Sequence, residues 1–265
     1  MGLQVLHNKS NIHSFLKKSA ELQIYLIGDL DDFYWRKTTW YGFVEKNKIL
    51  SVALLYSGME MPTLLSFYDK NPDYSYKLLV SIKPILPERF YAHLSPGLTS
   101  AFGTENIMEN YGLHYKMVLR KTPSDINDPC IRRLSSADLQ IIQDFYSIAY
   151  PHNWFDRRML ATKKYFGYFR DGKLAGISGI HVYSKKYNVA ALGNIATHPD
   201  FRGQQIGFKL TSKLCFNLSE KISLIGLNVR SDNEFALKCY HKTGFEIVGE
   251  YEECLIKNPF SKLSF

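Results

Sequence analysis

The chain has 265 residues, of which 45% are hydrophobic and 14% aromatic, so it can bury one large core or two of ordinary size. That composition excludes an intrinsically disordered protein. A net charge of +8 favours an anionic partner, which is a nucleic acid, a membrane surface or a phosphorylated small molecule. The basic residues are scattered rather than gathered in one block, so charge alone does not choose among these partners.

The N-terminus, Met-Gly-Leu-Gln-Val-Leu-His, lacks the charged and apolar regions of a signal peptide, and Leu6 stands where a myristoylation motif has Ser or Thr. Apolar runs such as residues 52–56 are far too short to cross a bilayer. The four cysteines form no Cys-x-x-Cys pair and lie in apolar patterns, as reduced core thiols do. We therefore expect a cytoplasmic protein with no membrane partner.

A hairpin pattern occurs twice along the chain. Residues 41–50 read as an aromatic strand, a Lys-Asn turn and an apolar strand, and residues 166–175 repeat this order with an Asp-Gly turn. A second similarity joins Gly112 and Gly244, each of which is predicted to end a helix and to be followed by a strand. Two similar units in series are therefore predicted. The alternative is a single large domain in which hairpin signals coincide.

The stretch between the two predicted units is rich in turn formers. Residues 123–130 concentrate proline, aspartate, asparagine and serine, as a linker does. We therefore predict a first domain over residues 1–122, a linker over residues 123–130 and a second domain over residues 131–265.

The second unit shows alternating strand and helix signals, which predict an α/β unit with a mixed sheet. Ser231 and Glu234 have the spacing of a capping box at the start of a short helix. The predicted elements are a helix over 136–149, strands over 164–170, 173–183 and 189–197, a helix with apolar residues at Ile206, Leu210, Leu214 and Leu218, a strand over 224–229, the short capped helix, which Gly244 ends, and a last strand over 245–256.

A basic turn that contains glycine joins the strand over 189–197 to the helix that starts at Ile206. Backbone N–H groups at a helix N-terminus and the helix macrodipole both favour negative charge, so this turn predicts an anion site. Gly203 and Gly207 let the backbone approach a ligand, and Arg202 adds a charged donor for a phosphate. Ordinary turn and capping chemistry is the alternative, because a single Gly-x-x-x-Gly turn is not specific.

Two motifs in order connect this turn to a known superfamily. The first, Ile195-Ala196-Thr197-His198-Pro199-Asp200-Phe201-Arg202-Gly203-Gln204-Gln205-Ile206-Gly207, resembles the acyl-CoA signature of the GNAT superfamily of N-acyltransferases. Further along, the order Asn233, Ala236, Tyr240 and Gly244-Phe245 resembles a later motif of the same superfamily. The resemblance covers roughly residues 131–256, and within the superfamily it looks most like the branch of the glycine N-acyltransferase-like proteins.

The resemblance implies an α/β fold (an α+β mixed sheet) of two tandem GNAT-like units, of which the N-terminal one is degenerate. Residues 90–103, where we would expect its cofactor signature, contain no Arg-Gly pair and no comparable helix start. The first unit would then complete the core and wall one side of an acceptor pocket. Aromatic residues at 33–41 and 150–155 would line that pocket, although core or interface packing is the alternative for both stretches.

The resemblance also assigns roles to single residues. Tyr240 would protonate the leaving CoA thiolate, as a phenol in a dry site is able to do, and Asn233 would contact CoA near the pantetheine arm. Core packing is the alternative for Tyr240 and helix capping the alternative for Asn233. The backbone of Ile195, Ala196 and Thr197 would pair with the pantetheine arm, and the turn made of Arg202, Gly203, Gln204, Gln205, Ile206 and Gly207 would hold the pyrophosphate.

The sequence departs from the superfamily pattern in two places. Gln205 stands where the superfamily most often has its first glycine, so a side chain is expected close to the phosphates. Many relatives also carry a catalytic carboxylate on the strand before the turn, whereas residues 189–194 contain none. Asn194 or the backbone would then orient a water relay, or His181 would accept the proton. No general base is assigned.

Together these features predict an N-acyltransferase that transfers an acyl group, most simply acetyl, from acetyl-CoA or another acyl-CoA to a small-molecule amine. No metal is expected, because the histidines, cysteines and carboxylates lack ligand spacing. A catalytically silent acyl-CoA-binding or regulatory module is the alternative, and nucleic-acid binding, which only the charge supports, is not expected. The sequence does not identify the acceptor, the acyl chain or the oligomeric state.

Overall fold

The computed structural model describes residues 2–262, and the chain divides into two compact units. Unit 1 contains the chain up to Lys116 together with the segment from Val248 onward, and unit 2 contains Met117–Ile247. From the sequence we predicted that everything after residue 131 belongs to the second domain. The segment from Val248 instead returns to unit 1 because it pairs there with a distant strand, which no local pattern encodes.

Unit 1 begins with a strand and three short helices and continues as a mixed sheet. Its elements are β1 (Gly2–Val5), α1 (Lys9–Leu16), α2 (Ile24–Asp29), α3 (Asp32–Trp35), β2 (Thr38–Glu45), β3 (Lys48–Tyr56), β4 (Thr63–Ser66), α4 (Asp73–Ile82), β5 (Arg89–Leu94) and most of β6 (Ile107–Leu119). The strands β1 to β5 are neighbours in that order, and all pair antiparallel except β4 and β5, which are parallel. The helix α4 provides the crossover that a parallel pair requires.

Unit 2 repeats this plan. Its elements are β7 (Ile131–Arg133), α5 (Leu139–Ala149), β8 (Phe166–Arg170), β9 (Lys173–Ser184), β10 (Val189–Thr197), α6 (Ile206–Ser219), β11 (Leu224–Arg230), α7 (Glu234–Thr243) and the start of β12 (Phe245–Lys257). The strand order is β11-β10-β9-β8-β7, with β10 and β11 parallel and the other pairs antiparallel. The rest of β12 belongs to unit 1, where residues 252–257 pair antiparallel with β5.

Both predicted hairpins are confirmed, and their turns explain the residues found there. Lys46 and Asn47 link β2 to β3 with φ of 46° and 62°, and Asp171 and Gly172 link β8 to β9 with φ of 49° and 73°. Two consecutive residues with positive φ match the right-handed twist of the flanking strands, and Asn, Asp and Gly tolerate that conformation best. The repeat seen in the sequence is therefore a repeat of two hairpins with the same turn geometry.

The apolar stripe of the helix α6 is confirmed as well. Ile206, Leu210, Leu214 and Leu218 are each at most 2% exposed. The helix approaches β9 closely at Gly176, where an added Cβ would stand 2.7 Å from Cγ2 of Ile206. Because glycine at position 176 has no side chain, the start of α6 is able to lie directly on the sheet.

The helix α7 starts two residues later than the predicted capping box implied. Its N-cap is Asn233, whose side chain accepts the Ala236 N–H at 3.1 Å, rather than Ser231. Asn and Ser cap equally well, so spacing alone does not choose between them. Gly244 ends the helix with φ of 107°, as predicted, and an added Cβ there would lie 2.5 Å from the carbonyl oxygen of Lys121.

Among the residues that the structure describes, no helix combines the length and the hydrophobicity that crossing a bilayer requires.

Unit 1 buries a polar cluster beside the parallel strands β4 and β5. Glu253 on β12 lies 3.4 Å from Nε2 of both His93 and His114, and it accepts a hydrogen bond from the Tyr251 hydroxyl at 3.3 Å. Burial alone would raise the pKa of Glu253, but the two histidines and the tyrosine outweigh burial and lower the pKa to about 2. This carboxylate is therefore held ionised inside unit 1.

Lys116 on β6 lies beside this cluster and is only 4% exposed. Its Nζ lies 3.5 Å from the ring centroid of Phe67, 5.1 Å from that of Tyr251 and 5.6 Å from that of Tyr25. Aromatic rings attract a cation more weakly than water solvates it. Burial therefore lowers the pKa of Lys116 from its ordinary 10.5 to about 7.

The pKa of Lys116 predicts that the protein becomes more stable as the pH rises from 7 to 9. In this window the unfolded chain, with a lysine pKa near 10.5, binds more protons than the folded chain, with a pKa of about 7. The free energy of unfolding should therefore rise, with Lys116 contributing up to about 1.4 kcal/mol per pH unit. Below about pH 7 both states are protonated and this contribution to the slope disappears.

Urea unfolding of Lys116→Met at several pH values isolates this contribution. The variant should have a flatter profile than the wild type and a higher unfolding midpoint at pH 7. Lys77→Met is the matched control, because Lys77 is exposed and also lies near an aromatic ring, with Nζ 6.0 Å from the centroid of Tyr74. Equal slopes for the wild type and Lys116→Met would contradict the prediction.

Candidate functional site

The parallel strands of unit 2 separate at their carboxyl ends. Across the described residues, β10 and β11 pair from Val189 and Leu224 as far as Leu192 and Leu227, although β10 continues to Thr197. Ile195, Ala196 and Thr197 follow this separation and are half-buried. Their backbone groups on the side of β11 are therefore free of strand pairing in the described chain, which leaves an edge that an extended ligand is able to pair with.

A β-bulge on β10 begins this free edge. Asn194 and Ile195 lie opposite a single residue of β9, since Gly193 pairs with Gly179 and Ala196 pairs with Ile177. Asn194 has φ of 53°, in the left-handed region that Asn tolerates better than most residues. The bulge turns the strand away from its neighbour at this point.

Hydrogen bonds to buried groups hold the bulge in place. The Tyr146 hydroxyl donates to the carbonyl oxygen of Asn194 at 2.7 Å, and Nδ2 of Asn194 donates to the Tyr165 hydroxyl at 3.0 Å. Oδ1 of Asn194 accepts the Trp154 N–H at 3.1 Å. Burial raises the pKa of Tyr146 and of Tyr165, so both phenols stay protonated as donors at neutral pH. The aromatic stretch around Trp154 is thereby anchored beside the bulge.

His181 on β9 lies across Gly193, the residue before the bulge. A Cβ added to Gly193 would stand 2.2 Å from Cδ2 and 2.4 Å from Nε2 of His181. The Nε2 atom is buried. The close approach explains why glycine occupies position 193, and it places an imidazole within one residue of the bulge.

Gly193→Ala should lower the free energy of unfolding by about 1–3 kcal/mol, because the new methyl group forces the imidazole out of its place. His181→Ala in the same chain should recover most of that loss, since the two changes act on one contact. Urea unfolding of the wild type, both single variants and the double variant measures the coupling. Simply additive losses would show that His181 is not what position 193 must avoid.

The turn between β10 and α6 leaves its backbone open. Gly203 has φ of 78°, and no described atom lies within 4 Å of a Cβ built on it. No described side chain caps the N-terminus of α6, and the first helical hydrogen bond runs from the Lys209 N–H to the Gln205 carbonyl at 3.0 Å. The N–H groups of the first helical turn are therefore available to an anion.

Gln205 adopts the conformation in which glycine is usual at this position. Its φ of 59° and ψ of 14° lie in the left-handed region, which a residue with a Cβ enters at a cost of about 1 kcal/mol. The side chain does not fill the turn. It extends instead toward α7, where its Oε1 accepts a hydrogen bond from Nζ of Lys242 at 2.9 Å. Oε1 of the neighbouring Gln204 accepts a hydrogen bond from Arg170 at the end of β8.

The helix α7 carries the two remaining candidate residues. Asn233 is exposed and caps the helix, so the capping interpretation holds, and its contact with CoA stays a prediction. Tyr240 is 9% exposed, and its ring centroid lies 6.1 Å from that of Phe245. A buried ring with a small exposed part fits both packing and a role for the hydroxyl.

Comparison with known proteins identifies the fold that carries this arrangement. Residues 131–245 match the family described as the acetyltransferase (GNAT) family. The chain has the GNAT acetyltransferase fold. The sequence of the chain has no match among curated proteins.

Solved structures extend the GNAT comparison over both units. A Drosophila protein is 11% identical with a TM-score of 0.71, over 96% of this chain and 98% of that one. A GNAT-family protein from Novosphingobium aromaticivorans is 14% identical with a TM-score of 0.65, over 90% of this chain and 98% of that one. A tandem GNAT protein from the clavulanic acid biosynthesis pathway is 12% identical with a TM-score of 0.60, over 97% of this chain and 98% of that one. At such low identity these likenesses show the fold, and they confirm two GNAT-like units.

The structure corrects where the first GNAT-like unit would carry a cofactor turn. The parallel pair β10 and β11 with the helix α6 corresponds to β4 and β5 with α4, so the counterpart of the turn is residues 67–72 and not residues 90–103. The sequence there, Phe-Tyr-Asp-Lys-Asn-Pro, has neither glycine nor arginine. The conclusion that the first unit lacks the signature stands, on different residues.

Proposed function

We propose that the protein is an acyl-CoA-dependent N-acyltransferase whose site lies in unit 2. The observation that carries the proposal is the direct succession of a free strand edge and an open, basic helix N-terminus. Coenzyme A has the matching shape, since its pantetheine arm has amide groups able to pair with a strand and its pyrophosphate is an anion. The match of residues 131–245 to the GNAT family supports the same conclusion.

In this proposal each part of the site binds one part of the donor. The backbone of Ile195, Ala196 and Thr197 pairs with the pantetheine amides. The pyrophosphate accepts hydrogen bonds from the N–H groups of the turn from Arg202 to Gly207 and from the Arg202 guanidinium. Asn233 contacts the donor near the arm while it also caps α7. The aromatic stretch anchored to Asn194 borders the position of the acyl group.

The reaction is a direct transfer between two bound substrates. The nitrogen of the acceptor amine attacks the thioester carbonyl carbon, a C–N bond forms, and the C–S bond breaks. Tyr240 donates its phenolic proton to the departing thiolate, and the amine nitrogen gives up a proton to solvent. The Tyr240 phenolate then takes a proton back from solvent, which restores the phenol. General acid catalysis of this kind contributes about 10²- to 10⁴-fold.

Thermal unfolding with a panel of CoA thioesters tests the donor half of the proposal. Acyl-CoA at about one hundred times its Kd should stabilise the protein by about 2.7 kcal/mol, a rise of several degrees in the midpoint. Acyl chains from acetyl to benzoyl and long-chain would identify the preferred donor. No shift with any thioester would overturn the proposal.

Release of free CoA thiol in the presence of a panel of small amines tests the acceptor half. One observation favours a silent acyl-CoA-binding module as the second candidate, because residues 189–194 contain no carboxylate to accept the proton of the amine. Thiol release that requires an amine supports the enzyme. A donor-induced shift without thiol release for any amine supports the silent module.

A further inference from the structure

Most of the basic residues around α6 and α7 are paired with carboxylates. Nζ of Lys209 lies 2.8 Å from Asp128, and Nζ of Lys213 lies 2.8 Å from Asp125. On α7, Lys238 pairs with Glu234 at 3.3 Å. Each of these three cations therefore has a carboxylate that offsets its charge.

The three basic residues at the turn are different. Within residues 2–262, neither Arg170, Arg202 nor Lys242 forms an ion pair with a carboxylate, and all three are exposed. Arg170 and Lys242 donate instead to the neutral amide oxygens of Gln204 and Gln205. An amide holds a cation in place without cancelling its charge, so the positive charge at the turn stays available to a ligand.

Holding these side chains in advance also lowers the cost of binding. A free lysine or arginine loses rotamer freedom when it contacts a ligand, whereas a tethered one has already lost part of it. Lys242 is held from two sides, since its Nζ also lies 4.3 Å from the ring centroid of Phe208. The two cations come from different elements, the end of β8 and the end of α7, and each is tethered to a glutamine of the turn.

The three cations at the turn are more than the binding of one pyrophosphate requires. The N–H groups of the turn and Arg202 are sufficient for a pyrophosphate, which leaves Arg170 and Lys242 for a further anionic group. Coenzyme A carries such a group, the phosphate on the 3′ position of its ribose. We propose that Arg170 and Lys242, placed by Gln204 and Gln205, recognise the 3′-phosphate and make the site selective for CoA over donors that lack it. This inference rests on the proposed function.

The proposal also explains the residue at the glycine position. Glycine would enter the left-handed conformation of position 205 freely, but Lys242 would lose the amide oxygen to which it donates and would keep only its contact with Phe208. Gln205 adopts the strained left-handed conformation and provides the amide oxygen to which Lys242 donates. The Gln-Gln pair is then a specificity element of the turn rather than a defect in it.

Isothermal titration with CoA and with 3′-dephospho-CoA tests the proposal on the full chain. The wild type should bind CoA about tenfold or more tightly than 3′-dephospho-CoA, because each charge-assisted contact with the phosphate is worth roughly that factor. In Arg170→Gln/Lys242→Gln the two ligands should bind about equally, through loss of affinity for CoA alone. The single variants should fall between. Lys238→Gln is the control and should keep the wild-type ratio, because Lys238 lies on the same helix but pairs with the carboxylate of Glu234.

Each other outcome has a defined meaning. A double variant that keeps the wild-type ratio overturns the inference and leaves the proposed function intact. A double variant that loses affinity equally for both ligands also overturns it, because the cations would then serve the pyrophosphate. A wild type that binds neither ligand overturns the proposed function and this inference together. The unfolding midpoint of every variant shows whether the exposed substitutions have left the fold unchanged.

Discussion

Tyr240→Phe should lower kcat by about 10²- to 10⁴-fold and leave the Kd for acyl-CoA within about twofold of the wild-type value. The substitution removes one hydroxyl and keeps the ring, which is 9% exposed and packs with Phe245, so binding and folding should change little. Without the phenol, the thiolate must leave unprotonated or wait for a proton from water. The effect therefore falls on the bond-breaking step.

Steady-state thiol release and titration with acyl-CoA separate these two effects. Tyr168→Phe is the matched control, since Tyr168 is 7% exposed, lies on β8 of the same unit and has no role in the proposed reaction. It should leave kcat unchanged. An unchanged kcat in Tyr240→Phe would show that Tyr240 is a packing residue. A loss of acyl-CoA affinity that matches the loss of rate would assign it to binding.

The parts of the fold that depend on neighbouring residues could be predicted from the sequence. Residues that tolerate positive φ predict the two hairpin turns, one at Lys46 and Asn47 and the other at Asp171 and Gly172. Apolar residues at helical spacing from Ile206 to Leu218 predict the helix α6. In each case the signal and the structure it specifies lie within one element or one hairpin.

The parts that depend on distant contacts could not be predicted. Arg170 lies 34 residues from Gln204, and Lys242 lies 37 residues from Gln205, so no spacing rule connects them. Asn194 is a small polar residue in an apolar run, and its role depends on Trp154, 40 residues away. The return of β12 to unit 1 depends on β5, more than half the chain earlier. Such residues become visible only when the fold brings them together.

Asn194→Ala should lower the free energy of unfolding by about 3 kcal/mol and reduce kcat/KM. The change removes the acceptor of the Trp154 N–H and a donor to Tyr165, and it puts a residue that disfavours the left-handed region at φ of 53°. Leaving the backbone N–H unpaired costs about 1–3 kcal/mol, and the backbone strain adds about 1 kcal/mol. The free strand edge that follows the bulge loses its anchor at the same time.

Asn194→Gly separates the backbone term from the side-chain term. It loses the same two hydrogen bonds but enters the left-handed region without strain, so it should be more stable than Asn194→Ala. That order is the reverse of the usual one inside a strand, where Gly is less stable than Ala by about 0.5–1 kcal/mol. Urea unfolding of the two variants gives the order directly. If Ala proved the more stable residue, position 194 would have ordinary strand geometry, and the bulge would not be what frees the edge of β10 for the donor.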